Sequence, residues 1–141
     1  MKTPVHLWVI GIAALLWNAG GAYDYIMTQF GNEAYLAMLT EPQRAYMDGV
    51  PAWFEFFWGL GIWFAVLGSI FLLARSRLAV PAFGIAIIGL AGSSVYSFGV
   101  AQPSTIEIIG SFALIFTVVI ALSLVLLWFY ARVMARRGVL R

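Results

Sequence analysis

The chain has 141 residues, of which 63% are apolar and 10% charged, with a mean hydropathy of +0.95 and no cysteine. An ordinary soluble domain, at about 45–50% apolar and about 25% charged, is thereby excluded, as are disulfides, thiolate catalysis, iron–sulfur clusters and thiolate zinc sites. The pI near 9.2 reflects a net charge of only +2, with bases flanking apolar blocks instead of forming a stripe among aromatics, so a lipid bilayer is the expected partner and nucleic acid is not.

Four apolar runs follow one another, each near the ~20 residues that a bilayer requires. They cover about 5–27, 51–74, 78–98 and 105–130, and they predict one domain over residues 1–141: an all-α membrane protein built as a four-transmembrane-helix bundle. The first run begins like a signal peptide, with Lys2 before an apolar stretch and small residues at Ala19 to Ala22. It exceeds the usual ~7–15-residue apolar core of a signal and carries Trp8 and Trp17, so it is read as a retained helix.

The connection after the first run is the only substantial loop, Thr28 to Val50. Thr40-Glu41-Pro42-Gln43 has the spacing of a capping box with an early-helix proline, which predicts a short amphipathic helix in this outer loop, with Tyr46 and Met47 toward lipid or the bundle. Arg75-Ser76-Arg77 forms a tight turn, so the second and third spans are antiparallel neighbours. Pro81 sits in the first turn of the third, where its missing N–H costs little. Gly99 to Pro103 is a second short turn, and Ser104 or Thr105 can cap the fourth span. Small residues at four-residue spacing mark packing faces: Gly61, Ala65, Ser69; Gly89, Ser93, Ser97; and Ala113, Thr117, Ala121.

Threaded this way, seven of the eight bases fall on one side of the bilayer: Lys2, Arg75, Arg77, Arg132, Arg136, Arg137 and Arg141. Arg44 and all six acids fall on the other side or at the helix ends facing it. The positive-inside rule then puts both termini in the cytoplasm.

Candidate functional residues are those that cost most to place in a membrane. An ionised carboxylate there costs ~2.5 kcal/mol or more, so it faces a bundle interior or water. Asp24 near the end of the first span, Glu55 one turn into the second and Glu107 in the first turn of the fourth all approach from the acidic side. Tyr96 completes that layer and Gln102 lies just above it. The helix macrodipole accounts for Glu107, which leaves Asp24 and Glu55 as the sharper candidates. Asn18 is the deepest amide, in the segment Trp17-Asn18-Ala19-Gly20-Gly21-Ala22-Tyr23-Asp24-Tyr25, the densest polar cluster in the chain. The candidate ligand-binding set is therefore Trp17, Asn18, Asp24, Glu55, Trp58, Tyr96 and Glu107, with no metal site and no catalytic residue. The buried amide also serves as interhelical glue, and Ser93, Ser94 and Ser97 are expected to bond back to their own helix.

Other residue types narrow the chemistry. The single histidine, His6, rules out bis-histidine haem ligation within the chain. The single lysine, Lys2, lies outside the spans and rules out a Schiff base in the bundle. Met27, Met38 and Met47 show no Met-x-x-Met pattern for Cu(I) and read as adaptable packing. Trp53, Phe54, Phe56, Phe57, Trp58, Trp63 and Phe64 cover most of the second helix's circumference. Some of them therefore face lipid, a second subunit or a planar apolar ligand.

The segments Leu16 to Tyr25, Pro51-Ala52-Trp53, and Leu67-Gly68-Ser69 through Arg75-Ser76-Arg77-Leu78-Ala79-Val80-Pro81 resemble a family of small bacterial four-helix inner-membrane proteins, some of which carry the label "sugar transporter". The resemblance spans nearly the whole chain. It implies a bacterial inner-membrane location and brings no substrate or catalytic residue; the shape is also similar to DoxX-type bundles in architecture. With no nucleophile–base pair, metal-ligand cluster or phosphate loop, the expectation is a non-enzymatic membrane protein. It would bind a partner subunit or an apolar ligand in an accessory or scaffold role, as a homo-oligomer or as a subunit of a larger membrane complex. The alternative is a small-solute or ion-coupled transporter using Asn18, Asp24 and Glu55. The residues identify no cofactor.

Overall fold

A computed structural model describes residues 3–101 and 105–141. All regular structure among them is helical. The chain runs through α1 (Val5–Gln29), two short loop helices α2 (Glu33–Leu36) and α3 (Glu41–Asp48), α4 (Ala52–Leu73), α5 (Ala79–Val95) continued by a π-helical segment (Tyr96–Val100), the short α6 (Thr105–Ile109) and α7 (Ser111–Arg136). Helices α1, α4, α7 and the α5–π unit are each long and apolar enough to cross a membrane. The protein is an all-α four-helix membrane bundle, as the apolar runs predict.

Two elements differ from the sequence reading. The loop between α1 and α4 holds two short helices, where the sequence predicts one. Asn32 caps α2 by accepting from the Tyr35 amide, while Thr40 and Gln43 form the full capping box of α3. The fourth span is not one helix from residue 105. Gly110 adopts φ 97°, a conformation that L side chains rarely take, and this separates α6 from α7, which then runs on to Arg136. Lys2, Gln102, Pro103 and Ser104, which the sequence reading uses, lie outside the described residues.

The membrane helices form a row with an open side. The α4–α5 interface is the largest, with α1 packed on α4 and α7 on α5. The α4–α5 crossing is set by Gly61 and Gly89, where a β-carbon on Gly89 would meet the Gly61 backbone nitrogen at 2.3 Å. These glycines belong to the small-residue faces read from the sequence, and the backbones touch where those faces meet. Helices α1 and α7 approach each other less closely and meet through side chains: His6 with Tyr130, and Trp17 with Phe116.

The core sits in the basic half of the bundle. Leu7, Leu72, Phe83, Leu127, Met134 and Leu140 pack together there. The turn after α4 places Arg75 at φ 56°, and the segment following α7 folds back onto it. The Arg77 amide donates to the Arg141 carbonyl at 2.9 Å, and the Arg141 amide donates to the Arg75 carbonyl at 2.7 Å. Arg75 Nη1 donates to Thr3 Oγ1 at 2.7 Å, which ties in the start of α1.

Candidate functional site

The acidic half of the bundle is hollow. A cavity of about 530 Å³ lies among all four membrane helices, within the ~300–1,000 Å³ range of small-molecule sites. Helix α1 supplies Leu16, Trp17, Asn18, Gly20, Gly21 and Asp24; α4 supplies Trp58, Gly61, Ile62 and Ala65; α5 supplies Leu90 and Ser93; α7 supplies Phe116, Ile120 and Leu124. The lining is thus apolar and aromatic with a few polar groups. Spacings of three and four residues produce it on each helix, because those positions share a face.

Two further cavities share residues with this one. A vestibule of about 250 Å³ at the acidic end is lined by Asp24, Thr28, Tyr35, Leu39, Gln43, Tyr46, Met47, Phe54, Trp58, Thr105 and Ile108. Asp24 and Trp58 therefore stand at the boundary of vestibule and central cavity. An apolar groove of about 610 Å³ follows the α1–α7 seam past Ile10, Ala13, Ala14, Val119, Leu126 and Tyr130, and it shares Trp17 with the central cavity. Shared lining residues make the three neighbours, in order from the acidic end to the surface between α1 and α7.

The polar groups are held in defined roles. Asn18 is buried, and its Nδ2 donates to Ser69 Oγ at 2.9 Å and to the Ala65 carbonyl at 3.3 Å. Ser69 Oγ itself donates to the Ala65 carbonyl at 2.9 Å. Asn18 is thus interhelical glue through its nitrogen, and its Oδ1 carries no hydrogen bond to the described residues. Ser93 Oγ donates back to the Leu90 carbonyl at 3.0 Å, as expected for a serine in a membrane helix. The Tyr35 hydroxyl donates to Asp24 Oδ1, which folds α2 over the end of α1. Burial first, then this bond and the Asp24 charge, push the Tyr35 hydroxyl from 10.0 up to about 12. The Tyr46 hydroxyl lies 2.9 Å from Thr105 Oγ1 and donates to Ser97 Oγ at 3.4 Å, so it pins α3 against α6 and the π segment.

Trp17, Asn18, Asp24 and Trp58 come together around the central cavity, whereas the other three candidates lie apart from it. Glu55 stands in the first turn of α4 and lines none of the three spaces. Tyr96 opens the π segment and packs in an aromatic cluster with Trp53 at 5.5 Å, Phe54 at 4.9 Å and Tyr46 at 6.1 Å between ring centroids. Glu107 is exposed in the first turn of α6. The α4 aromatics divide by exposure: Phe54 is buried, Trp58 lines cavities, and Trp53, Phe56 and Trp63 point outward.

Several lining residues were not among the ligand-binding candidates read from the sequence, although Tyr46 and Met47 were placed toward lipid or the bundle. Gln43, Tyr46 and Met47 carry a usable signal, because they recur at 0, +3 and +4 along the capped helix α3 and share its inner face. Phe116, Ile120 and Leu124 recur every four residues on α7, but apolar neighbours on every side mask the stripe. Tyr35 pairs with Asp24 through a fold of the loop that no local spacing encodes. Among the described residues no group of three His, Asp or Glu side chains converges as a metal site. No family model matches the chain, and no curated protein or solved structure matches it either.

Proposed function

We propose that this multi-pass membrane protein binds an apolar or amphipathic small molecule between α1 and α7, as a binding or accessory protein and not as an enzyme. The observation that carries the reading is the 530 Å³ cavity, lined by Trp17, Trp58, Leu90, Phe116 and Ile120 and adjoining, at Trp17, a groove on the α1–α7 seam. Such a lining favours an apolar body with a few polar anchors. The seam supplies a route from lipid.

The charge distribution supports a bacterial inner-membrane orientation with both termini in the cytoplasm. The outward aromatics of α4 and the exposed apolar length of α7 support assembly with a second copy or with another membrane subunit.

Native mass spectrometry of the gently extracted protein tests the binding. A β-carbon on Gly20 would meet nothing within 4 Å, and Gly20 lines the cavity, so Gly20→Phe is expected to place a ring in it. A small-molecule adduct on the wild type that Gly20→Phe abolishes is the expected result. A bare wild-type protein, or an adduct equally retained by the variant, refutes the reading.

A second reading, a carrier, draws on the shared boundary at Asp24 and Trp58, which joins the acidic-end vestibule to the bundle interior. It predicts solute flux in proteoliposomes that Asp24→Asn abolishes; binding without flux decides for the first reading.

A further inference from the structure

We propose that the boundary at Asp24 and Trp58 recognises the head of an amphipathic ammonium compound, a protonated amine carrying an apolar tail that lies in the central cavity. The inference rests on the ligand-binding reading above and adds the chemical class of the ligand.

Charge makes the first argument. Among the described residues, Asp24 is the only charged side chain lining any of the three spaces, and no Arg or His lines them. An anionic head would meet this carboxylate with no cation to offset it. Only one of its oxygens, Oδ1, accepts from Tyr35, so Oδ2 remains as an acceptor for a ligand. Trp58 lines both spaces at the same boundary, and an indole face attracts cations.

Hydrogen bonding makes the second. The indoles aside, the polar side chains of the central cavity are Asn18, Asp24 and Ser93. Asn18 and Ser93 already spend their donors on protein carbonyls and on Ser69, and a carboxylate has none to spend. All three therefore offer acceptors. An ammonium head supplies donors and positive charge together; a carboxylate, phosphate or sulfate supplies neither. The remainder of the cavity and the seam past Trp17 are apolar, which fits a hydrocarbon tail.

The test uses the full chain in nanodiscs of zwitterionic lipid, with empty nanodiscs as the blank. Three probes share one tail: 11-bromoundecylammonium, 11-bromoundecanol and 11-bromoundecyl sulfate. The bromine quenches tryptophan fluorescence on binding near Trp17 and Trp58. Saturable quenching with the ammonium at least about tenfold tighter than the sulfate is expected. Asp24→Asn should remove that preference while leaving the alcohol's affinity in place, and Asp24→Glu should restore it. A sulfate that binds as tightly as the ammonium, or a preference that survives Asp24→Asn, overturns the proposal while the alcohol's binding keeps the cavity reading intact. Absence of saturable quenching by all three probes overturns both.

Discussion

The rings of Trp17 and Phe116 stand 6.1 Å apart across the seam between α1 and α7. Trp17 lines both the central cavity and the seam groove, and Phe116 lines the central cavity, so the pair stands where the two spaces adjoin. Both rings are about half exposed, at 44% and 45%, and an aromatic pair contributes ~0.5–1.5 kcal/mol beyond its buried area. Trp17→Ala should therefore speed release of a bound apolar probe by roughly two- to tenfold with little change in thermal stability. Stopped-flow dilution of the brominated alcohol measures it; an unchanged release rate means that the ligand leaves by another path.

Gly89 makes the most demanding contact in the bundle. Its absent β-carbon would stand 2.3 Å from Gly61 N and 2.7 Å from the Phe57 carbonyl. These are backbone atoms and cannot rotate away. Gly89→Ala should force α4 and α5 apart and cost ~1–3 kcal/mol, the usual penalty of overpacking. Gly20→Ala, at a position with nothing within 4 Å, is the matched control and should be nearly neutral. Thermal unfolding in mild detergent compares the two; equal melting temperatures would show that the α4–α5 crossing is not fixed at this point.

Asn18 and Ser69 join α1 to α4 through one buried hydrogen bond of 2.9 Å. Interhelical bonds of this kind in membranes average ~0.6 kcal/mol and reach ~1.7. A double-mutant cycle of Asn18→Ala and Ser69→Ala should give a coupling in that range. Ser69 keeps its own bond to the Ala65 carbonyl in the Asn18 variant, so neither single change leaves a stranded hydroxyl. A coupling near zero would mean that the amide nitrogen prefers cavity water to α4.

Tyr35 gives the fold a response at high pH. Its hydroxyl is raised from 10.0 to about 12 in the folded protein, so between these values the folded state holds a proton that the unfolded state releases. Its contribution to stability is then complete below about 10 and lost as pH rises toward about 12. Tyr35→Phe removes the bond to Asp24 and should remove this part of the alkaline loss. Tyrosinate absorbance against pH, wild type minus variant, locates the titration; a midpoint near 10 would place Tyr35 in free contact with water.

The spans were legible because bilayer thickness imposes a length on each apolar run: α4 begins at Ala52 and ends at Leu73, close to the 51–74 read from the sequence. The Thr40 capping box was legible because it is entirely local. The break at Gly110 was not, since glycines within apolar membrane runs usually serve close packing and only the chain's path requires a positive φ there. The site was half legible. Asn18 and Asp24 stand out as polar residues in an apolar helix, and both line the cavity. Glu55 stands out equally but lies outside it, because facing is decided by the rotation of α4, which an aromatic coat on all sides leaves undefined in the sequence. The hollow itself arises from α1 and α7 being held by side chains alone, a relation between helices far apart along the chain.

The folded-back segment at the basic end has a mechanical consequence. There the Arg75–Arg77 turn, Arg141, Thr3 and the His6–Tyr130 contact cross-link α1, α4, α5 and α7 around a packed core. At the opposite end the helices surround open space. The molecule is thus built like a pair of tweezers with a riveted heel: thermal motion should concentrate in the tips, with α1 and α7 spreading while the heel holds, and amide hydrogens near Asp24 and Phe116 should exchange well before those near Leu72 and Met134.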